Sequence, residues 1–304
     1  MVSSCAVLPN LAARSVPVAV VVAPTRAGVF SAETLTPIPI DTPTQIAPTP
    51  TLLQATATPP PTATPQATVA ADNSAETLPL DQILWQSSTE TGDVSEWTQA
   101  QSGEAIFNTG TGRVELTQDV VRTGSYALAL SVENASKQTQ GARIFRWAEN
   151  APEAYYSAWF YFPEQVNPAV WWNIFQFKSN NGESLPTWIV NVDTDEQSGD
   201  MTLYLWDDIT DTSHYIPLVE QPMPIPVGEW VHIEMFVRQA QDLNGQVTLW
   251  QDGVLLYDIS KVQTTLADNI HWSINNYTDD ISPANVTIYA DDAMIALERR
   301  GVEQ

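Results

Sequence analysis

The sequence predicts an all-β fold, a β-sandwich or jelly roll, preceded by a segment without regular structure. Short runs of β-branched and aromatic residues alternate with polar residues at a period of two from about residue 79 onwards. The dipeptides Asn244-Gly245 and Asp252-Gly253 each separate two apolar runs, and such pairs supply the positive φ of tight hairpin turns. No amphipathic helix of three turns is evident, and many short strands with such turns favour a sandwich or jelly roll.

The candidate strands are spread over the whole of this part of the chain. They are 106–108, 113–117, 126–133, 142–147, 155–162, 171–178, 187–192, 201–206, 230–238, 246–251, 254–258, 270–275 and 286–291.

Composition divides the chain into three segments, which we expect to be an export or anchor remnant (1–33), a Pro/Thr-rich disordered linker (34–78) and the β-sandwich (79–304). All 11 Trp lie at or after Trp85, and aromatic residues are what a core needs. The linker reads LTPIPIDTPTQIAPTPTLLQATATPPPTATP over 35–65, where proline removes backbone donors and favours an extended chain. Such a stalk is typical of a protein displayed outside the cell or on its surface.

Charge and cysteine content exclude several classes of partner. Only four acids and two arginines precede residue 79, so the remainder has a net charge of −22, against −24 for the whole chain. Such a surface repels phosphates, so nucleic acid is not an expected partner. The single cysteine, Cys5, excludes disulfides within the chain, and it follows small residues as in lipid-modified bacterial cysteines, a pattern that chance also produces. No apolar stretch is long enough to span a membrane.

The strand over 171–178 shows which side chains are expected to share a face. Trp171, Asn173, Phe175 and Phe177 would fill the core between the sheets. Trp172, Ile174, Gln176 and Lys178 would then line an open face or groove.

Several blocks together resemble the concanavalin A-like polysaccharide lyases related to heparin lyase, glucuronan lyase and alginate lyase. The blocks are LWQSSTETGDVSEWT (84–98), RTGSYALALSV (122–132), RIFRW (143–147), YYSAWFYFPEQVNPAVWWNIFQFK (155–178), PVGEWVHIEMFVRQAQDLNGQVTLWQDGVLLYD (226–258) and the closing strands in 273–296. The resemblance covers nearly all of 84–297, mostly through positions that define the sandwich, and a fold does not fix a function.

The resemblance implies β-elimination on a polymer that contains uronic acid. A neutralised carboxylate makes the C5 proton acidic, a base removes this proton, and an acid protonates the departing oxygen. By matched position, Gln176 would contact the carboxylate with help from Arg146, and Tyr277 would be the acid or acid/base. Lys178 stands where related lyases place a histidine, so His214 is a further candidate for a catalytic group.

Aromatic and basic side chains are the expected sugar contacts, because the apolar faces of sugar rings stack on indole and phenol rings. The expected substrate-binding residues are Trp172, Trp147, Trp206, Tyr204 and Arg143. Most tryptophans in a sandwich are core residues, so packing is the competing interpretation of each.

No cofactor is required by this chemistry, and the ion considered is a structural Ca²⁺. Its expected ligands are Asp291 and Asp292, whose side chains supply the oxygen ligands that Ca²⁺ prefers. Acid pairs at turns are otherwise simply solvated.

Three functions remain open from the sequence: a polysaccharide lyase, a non-catalytic carbohydrate-binding or adhesion domain with lectin-like behaviour, and a purely structural surface protein. The first two share polysaccharide as the partner.

Overall fold

The computed structural model describes residues 82–99, 104–147, 151–180, 184–220, 222–268 and 270–301. The predicted segments 1–33 and 34–78, with Cys5, lie outside the described residues. Sixteen strands make up the described part, and none of its residues is in an α-helix. They are β1 (Ile83–Ser87), β2 (Arg113–Thr117), β3 (Ala127–Glu133), β4 (Gln140–Trp147), β5 (Glu153–Tyr161), β6 (Asn167–Pro168), β7 (Trp172–Asn180), β8 (Ser184–Thr194), β9 (Met201–Asp207), β10 (Thr212–His214), β11 (Trp230–Arg238), β12 (Gly245–Gln251), β13 (Val254–Val262), β14 (Ile270–Thr278), β15 (Ile281–Ser282) and β16 (Asn285–Ala296).

Two large antiparallel sheets form the sandwich. Sheet A has the order β13-β12-β11-β5-β16-β3-β2, with β1 also paired to β16. Sheet B has the order β10-β9-β8-β7-β14-β4, and β15 and β6 form a small separate ribbon. Strands distant in sequence are neighbours in both sheets, as in β5 beside β16 and β7 beside β14, which is the connectivity of a jelly roll. The predicted fold class is confirmed.

The two predicted hairpin dipeptides differ in how they turn. Asp252 and Gly253 both have positive φ (46° and 78°) and join β12 directly to β13, as predicted. Gly245 instead begins β12 without a positive φ, so that part of the prediction is wrong. A Cβ at Gly245 would lie 2.5 Å from the carbonyl oxygen of Val262, so glycine is needed there for close backbone approach.

Aromatic side chains from both sheets interlock in the core. Trp272 of β14 is fully buried, and its ring centroid lies 5.6 Å from that of Tyr156 on β5. On its own sheet the same indole contacts Phe175 of β7 at 5.2 Å. Burying side chains of this size contributes about 1.5–3 kcal/mol each, so the packed inner faces supply most of the stability of the sandwich. The outer faces are therefore available to contact ligands.

An irregularity in β7 determines which of its residues face outwards. Ile174 is an extra residue relative to β8, because Asn173 pairs with Asn191 while Phe175 pairs with Val190. Beyond this bulge, Gln176 and Lys178 lie on the outer face and Phe175 and Phe177 point into the core. Before it the parity is reversed, so that Trp172 is a core residue and Asn173 faces outwards.

Candidate functional site

The outer face of sheet B carries a pocket of about 390 Å³ at the junction of β4, β14 and β7. The ladder places Phe145, Ser273 and Gln176 in one row across these strands, and Trp147, His271 and Lys178 in the next. Residues in register on neighbouring strands share a face, so these side chains converge. The lining is completed by Phe107, Arg143, Asn180 and Ser184.

Lys178 is the titratable group of this pocket best matched to proton transfer near neutral pH. Burial, together with the positive charge of Arg143, lowers the pKa of Lys178 to about 8, while the charge of Asp208 partly opposes the shift. The amine is therefore partly unprotonated at physiological pH, and an unprotonated amine can accept a proton.

His271 lies directly opposite Lys178 in the ladder and packs between two aromatic rings. Its ring centroid is 5.2 Å from Phe145 and 5.3 Å from Trp147. Burial and the nearby cations lower the pKa of His271 to about 3, so the imidazole is neutral at any working pH. A base with so low a pKa is weak, so His271 is poorly suited to proton abstraction.

Arg143 is held rigidly beside the pocket with its guanidinium between two rings. The guanidinium carbon lies 4.5 Å from the Phe107 centroid and 4.4 Å from the Tyr277 centroid. Nε donates to the carbonyl oxygen of Phe107 (3.3 Å) and Nη2 donates to Oγ1 of Thr109 (2.7 Å). These bonds use two of the five N–H groups of the side chain, and burial lowers the pKa of Arg143 without discharging it.

The floor of this face is made of buried amides and a hydroxyl. Gln176, Ser273 and Asn275 are at most 3% exposed, and Gln176 Oε1, Ser273 Oγ and Asn275 Oδ1 have no hydrogen-bond partner among the described residues. Asn275 Nδ2 donates to Oδ1 of Asn173 at 2.8 Å. Buried polar atoms without partners are costly, so they indicate a surface built to meet polar ligand groups.

Tyr277 lies on the same face, but outside the residues that line the pocket. It pairs with Asn173, five residues before Lys178 on β7, which separates the two backbones by roughly 16 Å. Its ring packs over Gly141, where a Cβ would lie 2.5 Å from the ring carbon Cδ2. The Tyr277 ring therefore packs against the guanidinium of Arg143, at the end of the pocket away from Lys178.

Three of the predicted site residues lie away from this face. Trp172 is fully buried in the core, where its Nε1 donates to Oδ1 of Asn276 at 2.9 Å, because the bulge at Ile174 reverses the alternation. Arg146 pairs with the core residue Trp272 on β14, and its guanidinium lies 4.8 Å from the ring of Trp85.

His214 is the third predicted site residue that lies away from the outer face of sheet B. It pairs with the core residue Leu205 and stacks on Trp188 with the ring centroids 5.7 Å apart. It is thus on the opposite side of the sheet from Gln176.

The other predicted sugar contacts do lie on the outer face of sheet B, which is called the groove face below. Trp147 shares a row with Lys178, and Trp206 shares the row of Gln176 through Ile189. Tyr204 pairs with Asn191 on the same face near its far edge. The groove also contains His271, Ser273 and Phe107, which the sequence did not single out, although a ladder that pairs 271 with 178 would have indicated the first two.

Asp291 and Asp292 are satisfied by protein donors. Asp291 Oδ2 accepts from the backbone N–H groups of Arg122 (3.1 Å) and Thr123 (3.3 Å), and Asp292 forms an ion pair with Arg122 at 2.7 Å. Burial and the neighbouring Asp292 raise the pKa of Asp291 to about 6. Among the residues that the structure describes, no group of three or more His, Cys, Asp or Glu side chains could hold a metal ion, and the Ca²⁺ site at Asp291 and Asp292 stays a prediction.

Comparison with known proteins identifies the family. A family model described as polysaccharide lyase matches residues 89–293, two thirds of the chain, and the chain belongs to this family. A search of curated protein sequences finds no match.

Solved structures show the same fold at low sequence identity. An endo-β-1,4-glucuronan lyase from the fungus Trichoderma reesei is similar with a TM-score of 0.50 and 16% identity, covering 66% of this chain and 93% of its own. The cellulose-induced protein Cip1 is similar at 0.48 and 16%, covering 71% and 99%. An alginate lyase from Aplysia kurodai is similar at 0.45 and 12%, covering 70% and 98%. The family match and the glucuronan lyase structure together confirm the expected concanavalin A-like lyase fold.

Proposed function

We propose that this protein cleaves a polysaccharide containing uronic acid by β-elimination, with Lys178 as the catalytic base. The observation that carries the proposal is the meeting of a lysine of pKa about 8 with Arg143 and Gln176 in one pocket of the outer face of sheet B. Membership of the polysaccharide lyase family supports the reaction class. The proposed substrate is a uronic acid polymer because a cation and an amide can bind a carboxylate while a base removes the proton beside it.

The residues of the pocket match the needs of the reaction in turn. The N–H groups of Arg143 that are not bonded to the protein, together with the Gln176 amide, hold the uronate carboxylate and spread its developing charge. The amine of Lys178 takes the C5 proton, the C4–C5 double bond forms, and the bond from C4 to the glycosidic oxygen breaks. The resulting ammonium then returns the proton to that oxygen.

The test is an incubation with polyglucuronate, alginate and a pectin-type polymer, following the ultraviolet absorbance of the new double bond. We expect absorbance to develop with at least one polymer, and to be lost in Lys178→Ala. Lys261→Ala is the matched control, because Lys261 is an exposed lysine of β13 in the other sheet. A Lys178→Ala protein that remains folded and fully active would refute the role of Lys178.

Non-catalytic carbohydrate binding is the second candidate function. The aromatic residues Trp147, Trp206 and Tyr204 on the groove face favour it, since stacking on sugar rings needs no base. Retention of the protein on a polymer without new absorbance would support this function over elimination.

We further propose that the protein acts outside the cell or on its surface. The Pro/Thr-rich composition of 34–78, and the lack of cysteine throughout 79–304, support this location. Within the described residues no helix has both the length and the hydrophobicity to cross a membrane. Fractionation of cells into cytoplasm, envelope and medium tests the proposal, and recovery of the protein in the cytoplasm alone would contradict it.

A further inference from the structure

A second cavity opens at the far edge of sheet B, beside β9. It encloses about 280 Å³ and is lined by residues of the β8–β9 turn, the 215–217 segment and the 222–223 segment. This volume lies at the lower limit of small-molecule sites, so it fits one sugar ring rather than several.

The cavity borders the outer face of sheet B, the same face that carries the first pocket. Tyr204, which forms part of its wall, pairs with Asn191, and Asn191 pairs in turn with Asn173. The side chain of Asn173 accepts a hydrogen bond from Asn275 of β14, which pairs with Arg143 of β4. From Arg143 to Tyr204 there are four inter-strand spacings, about 19 Å, a distance that a sugar chain laid across the strands can span.

An aromatic pair lines the cavity. Tyr215 stacks on Tyr204 with ring centroids 4.5 Å apart and an interplanar angle of 27°. Tyr204 is only 5% exposed beneath this stack, whereas Tyr215 is 54% exposed and can stack on the apolar face of a sugar ring.

The charge of the cavity is opposite to that of the Lys178 pocket. Its lining includes three carboxylates, Asp193, Asp195 and Glu196, and contains no lysine or arginine. Hydrogen bonds from the backbone and hydroxyl of Ser198 lower the pKa of Asp195, which keeps it ionised. A uronate placed here would meet repulsion, whereas an uncharged sugar would meet the exposed Tyr215 ring without that repulsion.

We propose that the cavity at Tyr204 and Tyr215 is a sugar subsite selective for an uncharged residue, and that the substrate is therefore a mixed polysaccharide in which uncharged sugars are interspersed with uronic acids. This inference rests on the proposed function, since it names the substrate class of the same groove. A polymer made of uronate alone satisfies the Lys178 pocket and is disfavoured at the distal cavity.

The experiment compares two polymers that differ only in charge: polyglucuronate, and the same polymer with part of its carboxylates chemically reduced to primary alcohols. Binding is measured by affinity electrophoresis and cleavage by ultraviolet absorbance. We expect tighter binding and faster cleavage per remaining uronate for the reduced polymer. Tyr215→Ala should weaken binding of the reduced polymer, and the melting temperature is measured beside it because the variant also loses the stacking on Tyr204.

A charge variant separates local recognition from net charge. Asp193→Asn combined with Glu196→Gln should improve binding of unreduced polyglucuronate by roughly 1.5-fold to fivefold for each charge removed, and so erase the preference. The control, Asp119→Asn with Glu115→Gln, removes the same charge from exposed positions of sheet A and should leave the preference intact.

Four outcomes decide whether the subsite inference holds. The inference is wrong if the unmodified protein binds polyglucuronate as well as the reduced polymer, or if the two double variants behave alike. It is also wrong if neither polymer binds. A preference for the reduced polymer that depends on the distal acids, without any new absorbance, would uphold the subsite and refute the elimination.

Discussion

The pH dependence of cleavage follows directly from the environment of Lys178. A solvated lysine of pKa 10.5 is about 0.03% neutral at pH 7, whereas a pKa of about 8 makes about 10% of the amine neutral, a gain of roughly 300-fold in active base. Because the neutral amine is the base, kcat/KM should rise about tenfold per pH unit below 8 and level off above 9. In Lys178→Arg the group stays protonated at every accessible pH, so activity should be lost across the whole range.

The assay is initial-rate absorbance on the best polymer between pH 6 and 10, for the unmodified protein and for Lys178→Arg. The melting temperature of each is measured at every pH, so that unfolding is not mistaken for loss of the base. A flat profile, or one that falls through pH 8 while the protein stays folded, would refute the assignment of the base. Activity in Lys178→Arg with an unchanged profile would do the same.

Three further predictions concern stability. Gly141→Ala places a methyl group 2.5 Å from the Tyr277 ring and should cost about 1–3 kcal/mol of unfolding free energy in urea, with unchanged stability arguing against that contact. Trp172→Ala should cost about 3–5 kcal/mol while the folded protein keeps its affinity for polymer; a loss of affinity alone would show that the ring contacts sugar after all. Burial lowers the pKa of His232 to about 3, so below pH 6.5 the unfolded chain binds a proton that the folded protein does not bind, and the folded protein loses stability as the pH falls. His232→Gln should therefore lose less stability on acidification, by about 2 kcal/mol between pH 7 and 5, and parallel pH curves for the two proteins would contradict this.

The fold could be predicted because its signals are local. Strand alternation and turn residues are properties of a few neighbouring residues, and the strands carrying them were located to within a few positions. The short strands β6, β10 and β15 were not predicted, since two or three residues carry no measurable period. The segment at 106–108 contributes a single bridge, from Ile106 to Ile144, because it only flanks β4.

The site was harder to predict because it depends on register between distant strands. One inserted residue, Ile174, moves Trp172 into the core while leaving Gln176 and Lys178 outside. A uniform alternation cannot anticipate such a change of parity. The sequence RIFRW likewise contains two arginines of opposite parity, and only the pairing of β4 with β14 shows that Arg143, not Arg146, faces the groove.

The most direct test of the account is the mass of the products that the protein forms from the polymer. Elimination by Lys178 predicts unsaturated fragments, each lighter by one water than the corresponding hydrolysis product, with none formed by Lys178→Ala. Products that are all saturated, or unsaturated fragments from folded Lys178→Ala in normal amounts, would contradict the proposed reaction at this pocket.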